Sequence, residues 1–476
     1  MERLSYALLK KQGYSGYLLP DAPERIMQFG EGNFLRAFAE DFIDRMNETA
    51  DFHAKAVLVQ PRGGHPDAAD RFTEQDGLYT LILRGRENGK AVEQTRMISC
   101  VSRCLDPKRD WNILLDCAKN PDLRFILSNT TEAGIVFDPA CKQTDTPPAS
   151  FPAKLTVFLH ERWRNGGKGF IILSCELIDH NGDELKRCVL EYCKLWEMEA
   201  AFSEWVEKEN LFCSTLVDRI VTGSPKAELP ALWEKFGYED RLTDTGEVFA
   251  AWVIEGPQSL KNELPFEKAG LPIQVVDDVS PYKQRKVRIL NGAHTSMVLA
   301  AHLAGKEIVR ECMEDSVIHD FLHKALFAEI IPTLDLPEEE LTAFANSVMD
   351  RFNNPYIDHR LLDIALNSTA KWKARVLPSV TEYQKRKGTL PRCLTFSFAA
   401  YIAFYRSGKA QDDAWVLDFF REHADDEAET LVRAVVENER MWGDTLSAIP
   451  GFAEAVTADL KCIREAGAYQ AMKKLL

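Results

Sequence analysis

One stretch near the N-terminus constrains the fold of this chain more than any other. Residues 25–29 (RIMQF) form a short apolar run that leads directly into Gly30-Glu31-Gly32. Beyond the turn, large apolar side chains recur every fourth residue, as they do on one face of a helix, at Phe34, Phe38, Phe42 and Met46. A buried strand, a Gly-x-Gly turn and an amphipathic helix in this order are typical of a dinucleotide-binding unit, although Gly-rich turns also occur without a ligand.

In that interpretation the two glycines have different tasks. Gly30 makes the tight turn, and Gly32 lets backbone N–H groups approach a pyrophosphate at the start of the helix. The third glycine of the usual fingerprint is absent, and Leu35 stands there. We therefore predict that Gly30 and Gly32 bind a nicotinamide cofactor, with a plain structural turn as the alternative.

The second predicted strand, residues 54–60 (AKAVLVQ), leaves the type of cofactor open. The Asp or Glu that usually holds the adenosine ribose is absent from its end, which continues as Pro61-Arg62-Gly63-Gly64. Arg62 could accept a ribose 2′-phosphate, or it could stack on adenine. NAD is the expected cofactor, and NADP is not excluded.

Two later segments are further candidates for the same site. Residues 124–128 (RFILS) read as a buried strand and end in a run of small polar residues that includes Thr130 and Glu132. Such residues line the ligand crevice of an open α/β sheet, or they form an ordinary loop. Asp218-Arg219 lies within an apolar segment, as a structural ion pair or as another part of the crevice.

The remaining pattern indicates a fold of two parts. Residues 78–84 and 92–101 flank Glu87-Asn88-Gly89-Lys90, a strong hairpin-turn signal. After a polar stretch at 277–281, strand signals fade and helical periodicity continues to the end. We predict an α/β protein: an N-terminal Rossmann-type doubly wound sheet with a β-hairpin insertion (residues 1–278), followed by a mainly α-helical substrate domain (residues 279–476).

Composition excludes several classes of function. The net charge of −15 disfavours a nucleic-acid-binding surface, which needs a basic excess. No apolar run is long enough for a membrane span, and the N-terminus has no signal-peptide pattern, so we expect a cytoplasmic enzyme with a small-molecule substrate. The 11 cysteines are irregularly spaced, which favours reduced thiols, and no metal site is predicted.

The stretch 281–300 (PYKQRKVRILNGAHTSMVLA) contains the candidate catalytic residues. At roughly 100° per residue, Lys286, Asn291 and His294 lie near 0°, 140° and 80° around a helix axis. They therefore share one broad face, where a Lys can deliver a proton while an amide and an imidazole hold the oxygen that receives it. Taken one at a time, each residue has an ordinary structural explanation, but three polar groups on one apolar helix favour a site.

With these residues identified, the chain resembles the mannitol dehydrogenase family, the long-chain polyol-specific dehydrogenases. The resemblance is carried by residues 30–37 (GEGNFLRA), 217–220 (VDRI) and the Lys-x-x-x-x-Asn-x-x-His motif at 286–294. It implies a metal-independent dehydrogenase in which Lys286 is the general acid/base and Asn291 and His294 stabilise the substrate oxygen. Together with the residue patterns, it predicts cofactor binding by Gly30, Gly32, Asn33, Phe34, Arg62, Thr130, Glu132 and Asp218.

Within the family, residues 29–36, 128–134 and 175–178 (CELI) are most similar to the branch that acts on uronates. Polyol-oxidising members carry an Asn that helps to hold the substrate oxygen where this chain has Leu177. Near Lys371 they also pair a Lys with an Arg eight residues earlier, whereas this chain has Asp363. Lys371 or Arg375 could still bind a substrate carboxylate, or both could be solvated charges.

The implied reaction is the reversible, NAD-dependent reduction of a keto-uronate, D-tagaturonate, to D-altronate. Fructuronate or an uncharged polyol such as mannitol is the nearer alternative as substrate. A non-catalytic dinucleotide-binding regulator is the more distant alternative, and the complete Lys286, Asn291 and His294 set disfavours it.

Overall fold

The structure is a computed structural model that describes residues 1–131, 133–444 and 446–476. The described residues divide into two compact units. Unit 1 comprises Met1–Arg84 and Val92–Val279, and unit 2 comprises Gly85–Ala91 and Ser280–Leu476. Unit 2 is therefore assembled from two separate stretches of the chain.

The strands of the main sheet of unit 1 are β1 (Glu24–Phe29), β2 (Lys55–Val59), β5 (Val101–Leu105), β6 (Phe125–Ser128), β7 (Ile171–Ser174), β8 (Leu211–Asp218), β10 (Ala251–Glu255) and β11 (Ile273–Val276). Their order in the sheet is β11-β10-β8-β7-β6-β1-β2-β5. All neighbouring strands pair in parallel except β8 and β10, which are antiparallel.

A second, smaller sheet contains the hairpin strands. Its order is β4-β3-β9, formed by β3 (Tyr79–Glu87), β4 (Lys90–Ile98) and β9 (Asp244–Glu247). The predicted hairpin insertion is confirmed, but β9 was not predicted, because its sequence DTGE has no apolar alternation. The strand is fully buried and is held by parallel pairing with β3.

The helices of unit 1 connect these strands. They are α1 (Tyr6–Lys11), α2 (Asn33–Arg36), α3 (Ala39–Ala50), α4 (Pro66–Glu74), α5 (Trp111–Cys117), α6 (Phe151–Arg164), α7 (Asn181–Leu195), α8 (Ala200–Glu209), α9 (Leu229–Phe236) and α10 (Leu260–Glu263).

Both faces of the main sheet are buried, as expected when helices cover a parallel sheet on each side. Alternate residues of a strand belong to two different apolar clusters: Ile26 packs in one, and Met27 and Phe29 pack in the other. In β6, Phe125 and Ile126 divide between the clusters in the same way. The order β5-β2-β1-β6-β7-β8 is the 3-2-1-4-5-6 order of dinucleotide-binding sheets, and the predicted Rossmann-type fold is confirmed.

The helix predicted to run unbroken from Phe34 to Met46 is interrupted at Ala37 and Phe38. Two side chains from elsewhere in unit 1 take the carbonyl oxygens at the break. The Tyr79 hydroxyl donates to the Arg36 carbonyl at 2.7 Å, and Arg219 donates to the Ala37 carbonyl at 2.6 Å. These bonds replace helical ones, so the chain turns between α2 and α3.

Unit 2 is mainly helical, as predicted. Its helices are α11 (Ser280–Arg285), α12 (Gly292–Leu303), α13 (Val309–Glu314), α14 (Ser316–Lys324), α15 (Glu338–Phe352), α16 (Leu361–Ile364), α17 (Ser368–Arg375), α18 (Leu377–Lys387), α19 (Arg392–Arg406), α20 (Ala414–Glu422), α21 (Ala428–Val436), α22 (Glu439–Trp442), α23 (Phe452–Ala466) and α24 (Ala468–Lys473). Two π-helical turns, Lys286–Asn291 and Ala325–Ile330, and 3₁₀ turns at Ile331–Thr333 and Leu446–Ala448 complete it.

The core of unit 2 is aromatic. The Trp372 ring lies 4.5 Å from Phe398 and 5.8 Å from Trp442, measured between ring centroids. Phe398 in turn packs on Phe452 at 5.3 Å. These contacts join α17, α19, α22 and α23. Among the helices that the structure describes, none has both the length and the apolar content to cross a membrane.

Candidate functional site

The Gly-x-Gly turn lies where the sheet order reverses. Strand β1 pairs with β2 on one side and β6 on the other, so the residues after β1 and β6 meet at the same edge. Gly30 has a φ of +126°, and a Cβ built on it would lie 2.8 Å from the Asn129 carbonyl oxygen. Only glycine allows this backbone conformation and this approach of the two loops. In open α/β sheets this switch point is where ligands bind.

A buried polar relay beneath the turn holds Gly30 in place. The Gln28 side-chain amide donates to the Gly30 carbonyl at 2.8 Å and to the Glu40 carboxylate at 2.7 Å. The Tyr79 hydroxyl, whose proton goes to the Arg36 carbonyl, lies 2.8 Å from the other Glu40 oxygen. Burial raises the pKa of Glu40 to about 7, against the opposing effect of these hydrogen bonds. Sequence analysis missed the relay, because Glu40 occupies an ordinary position in an amphipathic helix.

Gly32 differs from Gly30. Its backbone is extended, with φ −67° and ψ 167°, and it precedes α2 as the N-cap. No described protein atom lies within 4 Å of a Cβ built there. The protein itself does not require glycine at this position, and the open space fits the close approach of a ligand that the predicted cofactor turn needs.

The next two predicted cofactor residues have structural contacts of their own. Asn33 is exposed, and its side-chain oxygen accepts a hydrogen bond from Arg36 at 2.5 Å. Phe34 is partly buried and stacks on Phe38 with ring centroids 5.1 Å apart. Asn33 therefore presents a polar group at the turn, whereas Phe34 contributes mainly to packing.

The loop after β6 is anchored by Glu176, which follows β7. Its carboxylate accepts hydrogen bonds from the Thr130 backbone N–H at 3.0 Å, the Thr130 hydroxyl at 3.1 Å and the Ser128 hydroxyl at 3.0 Å. Burial raises the pKa of Glu176 while these bonds oppose the shift. Sequence analysis missed its role, although an acid directly after a buried strand is a detectable signal. Glu132, another predicted cofactor residue, lies outside the described residues.

Arg62 and Thr130 line a common cavity of about 490 Å³ in unit 1. Arg62 is exposed on the segment after β2. The cavity is also lined by Val136, Phe137 and Ser150, the N-cap of α6. The cavity brings together two residues that were predicted separately.

Asp218 is the last residue of β8, and its side chain is buried. Its neighbour Arg219 forms an ion pair with Asp41 of α3 at 2.9 Å. The structural ion pair considered for this segment is therefore between Arg219 and Asp41. Asp218 lies at the carboxyl end of a parallel strand, the edge at which crevice residues occur.

In unit 2, Lys286 and Asn291 are the first and last residues of a π-helical turn. The Gly292 N–H donates to the Val287 carbonyl, five residues earlier. The hydrogen bonds of a π-helix span five residues, so side chains five residues apart are separated by a smaller angle around the axis than the 140° of an α-helix. The angle between Lys286 and Asn291 is therefore smaller than α-helical geometry predicted. Such turns within α-helices are frequent at functional sites.

His294 follows in the first turn of α12. Its ring stacks on Phe352 with centroids 3.9 Å apart and meets the edge of His359 at 5.4 Å. Burial holds the pKa of His294 well below its usual range, and the neighbouring His359, Arg351, Arg375 and Lys371 lower it further. The imidazole is therefore neutral near pH 7 and keeps one N–H donor.

The two predicted carboxylate-binding residues lie on α17, which packs against α12. A Cβ added to Gly292 would be 3.0 Å from the Arg375 carbonyl oxygen, so the helices approach closely there. The Lys371 ammonium donates to the Ile364 carbonyl at 2.8 Å. Burial lowers the pKa of Lys371, and the charge of Arg375 lowers it further. The two charges are therefore neighbours in a partly desolvated region.

Other groups around His294 were missed by sequence analysis. Arg351 and Phe352 end α15, and His359 lies in the loop before α16. Burial lowers the pKa of His359, and the charge of Asp363 opposes that shift. These residues belong to an irregular segment whose contacts depend on tertiary packing, so no spacing rule identifies them.

Three further positions need comment. Leu177, where polyol-oxidising members carry Asn, has 63% of its surface exposed. Arg285 forms an ion pair with Glu340, and Arg288 donates to the Ser379 hydroxyl at 2.6 Å, so both arginines have structural contacts. Among the described residues, no group of three His, Cys, Asp or Glu side chains is arranged to hold a metal ion.

Comparison with known proteins agrees with the fold and the motifs. A family model described as the mannitol dehydrogenase Rossmann domain matches residues 24–268, and one described as the mannitol dehydrogenase C-terminal domain matches residues 278–464. Together these matches place the chain among oxidoreductases that act on CH–OH groups. More particularly, the chain belongs to the mannitol dehydrogenase family. The resemblance inferred from the motifs is confirmed.

Curated relatives match over nearly the whole chain. A protein from Klebsiella pneumoniae strain 342 named altronate oxidoreductase is 47% identical, over 95% of this chain and 97% of its own length. Proteins with the same name from Yersinia enterocolitica and Enterobacter sp. strain 638 are 45% and 46% identical. These two matches cover 94% and 98% of this chain, and 95% and 99% of the relatives.

Solved structures share the fold at lower identity. A D-sorbitol dehydrogenase structure in substrate-free form has a TM-score of 0.79 at 24% identity, over 99% of this chain and 100% of that one. The mannitol 2-dehydrogenase of Pseudomonas fluorescens, in a ternary complex with NAD and D-mannitol, has a TM-score of 0.69 at 23% identity, over 99% of each chain. At these identities the likeness concerns the fold.

Proposed function

We propose that the protein catalyses the reversible, NAD-dependent reduction of D-tagaturonate to D-altronate. The observation that carries the proposal is the group of cations around His294: Arg351, Lys371 and Arg375. A uronate carboxylate would form charge-assisted bonds with such a group, which an uncharged polyol cannot do. The name of the curated relatives, altronate oxidoreductase, supports altronate as the reduced partner.

The carboxylate would bind at Lys371 and Arg375. Lys and Arg side chains form charge-assisted hydrogen bonds with carboxylates, and partial burial strengthens such bonds. Burial lowers the pKa of both groups, as expected for cations held in a desolvated region that a substrate anion would neutralise. The chain has Asp363 where polyol-oxidising members carry an Arg, so the cations proposed here for the carboxylate are Lys371 and Arg375.

The proton is supplied by Lys286. As an alkoxide develops on the substrate's keto oxygen, the protonated Lys286 ammonium donates a proton to it, and in the reverse direction the neutral amine accepts that proton. The Asn291 amide and the neutral His294 ring each donate a hydrogen bond to the same oxygen, which stabilises its charge. Leu177 cannot provide a third such donor, so the residues of one helix supply the polar contacts.

The cofactor would be held by the residues after β1, β2, β6 and β8 of unit 1: Gly30, Gly32, Asn33, Phe34, Arg62, Thr130, Glu132 and Asp218. The geometry of Gly30 and the open approach at Gly32 fit a pyrophosphate at the switch point. When bound, NADH supplies the hydride for the keto carbon.

The division into a dinucleotide-binding domain, residues 1–278, and a substrate domain, residues 279–476, stays a prediction. So does the cytoplasmic location, which is supported by cysteines that are free throughout the described residues and, apart from Cys462, buried. The expected partner is the small-molecule substrate, without nucleic acid or membrane.

The substrate is tested by measuring NADH oxidation with tagaturonate, fructuronate and fructose. We expect kcat/KM for tagaturonate to exceed that for fructose by about 10³-fold, since fructose has no carboxylate to form charge-assisted bonds with Lys371 and Arg375. Lys371→Ala should raise KM for tagaturonate more than Lys373→Ala, a matched change on the same helix. Equal efficiency with fructose would overturn the uronate assignment, and a preference for fructuronate would move it to the sister reaction.

The role of Lys286 is tested by Lys286→Ala. Loss of the proton donor should lower kcat by about 10²- to 10⁴-fold. The dissociation constant of NADH should stay within about twofold, because the proposed cofactor-binding residues all belong to unit 1 and are unchanged. Lys387→Ala, an exposed Lys of the same unit, is the control. Near-normal turnover in Lys286→Ala would refute the assignment. Absence of turnover in the wild-type protein would instead favour a non-catalytic regulator.

A further inference from the structure

The Arg288 side chain is buried in unit 2 and is held by hydroxyl groups. It belongs to the π-helical turn Lys286–Asn291. Its guanidinium donates to the Ser379 hydroxyl of α18 at 2.6 Å and to the Thr333 hydroxyl at 3.0 Å. Burial lowers the pKa of Arg288 to about 10, so the group stays charged at neutral pH. Two neutral partners from other segments therefore hold a buried positive charge.

Stability alone does not account for a charge at this place. A buried cation is costly, and an apolar side chain of similar volume often serves the fold equally well. Glu382, the acid of α18, attracts Arg288 but is itself paired with Arg386 at 2.6 Å. In the part of the chain that the structure describes, Arg288 forms no ion pair. What the guanidinium contributes is direction, because its two bonds fix the turn relative to α18.

The turn that Arg288 fixes carries Lys286 and Asn291. π-helical turns are rare beside α-helical ones, and unusual backbone forms persist where surrounding contacts hold them. In this turn the Gly292 N–H reaches the Val287 carbonyl. A return to α-helical bonding would widen the angle between Lys286 and Asn291 toward 140°. The form of the turn therefore decides whether both side chains can meet one substrate oxygen.

The Thr333 hydroxyl links this turn to the second π-helical turn, Ala325–Ile330. It accepts from Arg288 and donates to the Ile330 carbonyl at 2.7 Å. Glu329 of the second turn accepts two N–H groups in the first turn of α19, at 2.8 and 2.9 Å. Helix α19 packs against α12, which continues the turn of the candidate catalytic residues. Arg288 therefore bonds to a support that is itself fixed within unit 2.

We propose that Arg288 is a positioning residue for proton transfer: it holds the π-helical turn in which Lys286 and Asn291 reach one substrate oxygen. Its bonds to Ser379 and Thr333 supply the hold. Side chains two residues apart on a helix do not face each other, so Arg288 points away from Lys286 and does not touch the substrate. The inference rests on the proposed function and adds a residue that acts through the turn.

The test compares two arginines that bond to the same support. Arg386 of α18 donates to the Pro332 carbonyl at 3.2 Å and pairs with Asp335 at 2.7 Å, and both partners lie outside residues 286–291. With tagaturonate and NADH, Arg288→Met should lower kcat by about 10²-fold, the effect of a small misplacement of a reacting group. Arg386→Met should keep kcat within about threefold, since it leaves the turn in place. Both variants are assayed where circular dichroism shows them to be folded.

Two readouts separate positioning from loss of folding. In Arg288→Met the KM for tagaturonate should stay within about threefold, because Lys371 and Arg375 are unchanged. The solvent deuterium isotope effect on kcat should rise, because proton transfer from Lys286 becomes slower relative to the other steps. A residue needed only for folding would lower the folded fraction and leave that isotope effect as in wild type.

Changes at the partner hydroxyls assign the effect to the two bonds. Ser379→Ala and Thr333→Val should each lower kcat by about three- to tenfold, since each removes one bond to the guanidinium. Arg288→Lys, whose ammonium can reach one hydroxyl, should bring kcat back to within about tenfold of wild type. Thr381→Val is the matched control: this exposed residue of α18 donates to the Leu377 carbonyl at 3.2 Å.

The outcomes separate two failures. Wild-type kcat in Arg288→Met, or an equal loss in Arg386→Met, would overturn the inference and leave the proposed function standing. If the wild-type protein turns over no tagaturonate, the proposed function fails, and a crystal structure of Arg288→Met still decides the role of Arg288 in the turn. We expect that structure to lose the bond from the Gly292 N–H to the Val287 carbonyl, and persistence of the bond would equally overturn the inference.

Discussion

Gly30 and Gly32 are two residues apart, yet only at Gly30 does the protein itself require glycine. The reasons at Gly30 are a positive φ and a carbonyl oxygen 2.8 Å from the Cβ position. At Gly32 the backbone suits any residue, and open space surrounds the Cβ position. An alanine Cβ would therefore clash with the protein at Gly30, whereas at Gly32 it would meet no described protein atom.

This difference predicts opposite results for two alanine variants. Gly30→Ala should lower the free energy of unfolding by about 2 kcal/mol or more, through backbone strain and the clash with Asn129. Gly32→Ala should leave stability within about 0.5 kcal/mol but weaken NADH binding by about tenfold or more. Denaturant unfolding and NADH fluorescence titration measure the two quantities. If Gly32→Ala bound NADH normally, the turn would not be the pyrophosphate site.

Glu40 predicts a dependence of stability on pH. Its pKa is about 7 in the folded protein against 4.5 as a model carboxyl, so the folded state holds the proton more tightly. Because the pKa of Glu40 is higher in the folded state, its contribution to the free energy of unfolding is fully present below the pKa of the unfolded state and is lost as pH rises through the pKa of the folded state. The free energy of unfolding should therefore fall by about 3 kcal/mol between about pH 4.5 and 7.

Glu40→Gln should remove this loss. The glutamine can accept from Gln28 and donate to the Tyr79 hydroxyl, which still donates to the Arg36 carbonyl. Relative to wild type, the variant should therefore gain about 2–3 kcal/mol between about pH 5 and pH 8 in denaturant unfolding. Glu48→Gln, an exposed acid on the same helix, should show no such trend. A wild-type-like pH profile in Glu40→Gln would mean that Glu40 is already ionised at low pH.

At the scale of elements, periodicity was sufficient for most of unit 1. Apolar runs of four to six residues identified β1, β2, β6 and β7, because parallel strands covered on both faces are uniformly apolar. The first residue of β5 was assigned to the preceding hairpin strand, since no turn signal separates Ile98 from Val101. Strand β9 was missed because its burial comes from pairing with β3 and its own residues do not predict it.

The helix of the candidate catalytic residues shows a different limit. Residues 286–291 (KVRILN) contain no proline or glycine that would signal an irregular turn. Counting at the α-helical angle identified three polar residues on one face, but it could not anticipate the π-helical turn between Lys286 and Asn291. The positions of Arg351 and His359 beside His294 depend on packing between α12 and distant elements, which spacing along one helix does not encode.

At the scale of the whole molecule, local and overall charge have opposite signs. The chain carries a net charge of −15, while the groups around His294 are cationic. A site for an anion on an acidic protein must therefore concentrate its positive charge in one place, and partial burial keeps that charge from being screened by salt. This arrangement is consistent with recognition of a carboxylate at one position of the substrate.

The hairpin formed by β3 and β4 has a consequence for the order in which the protein is made. Residues 85–91 at its tip belong to unit 2, although the rest of that unit begins only at Ser280. During synthesis from the N-terminus, this tip leaves the ribosome long before the helices with which it is grouped. Unit 1 can form its sheet as it emerges, whereas unit 2 becomes complete only when the C-terminal half of the chain has been translated.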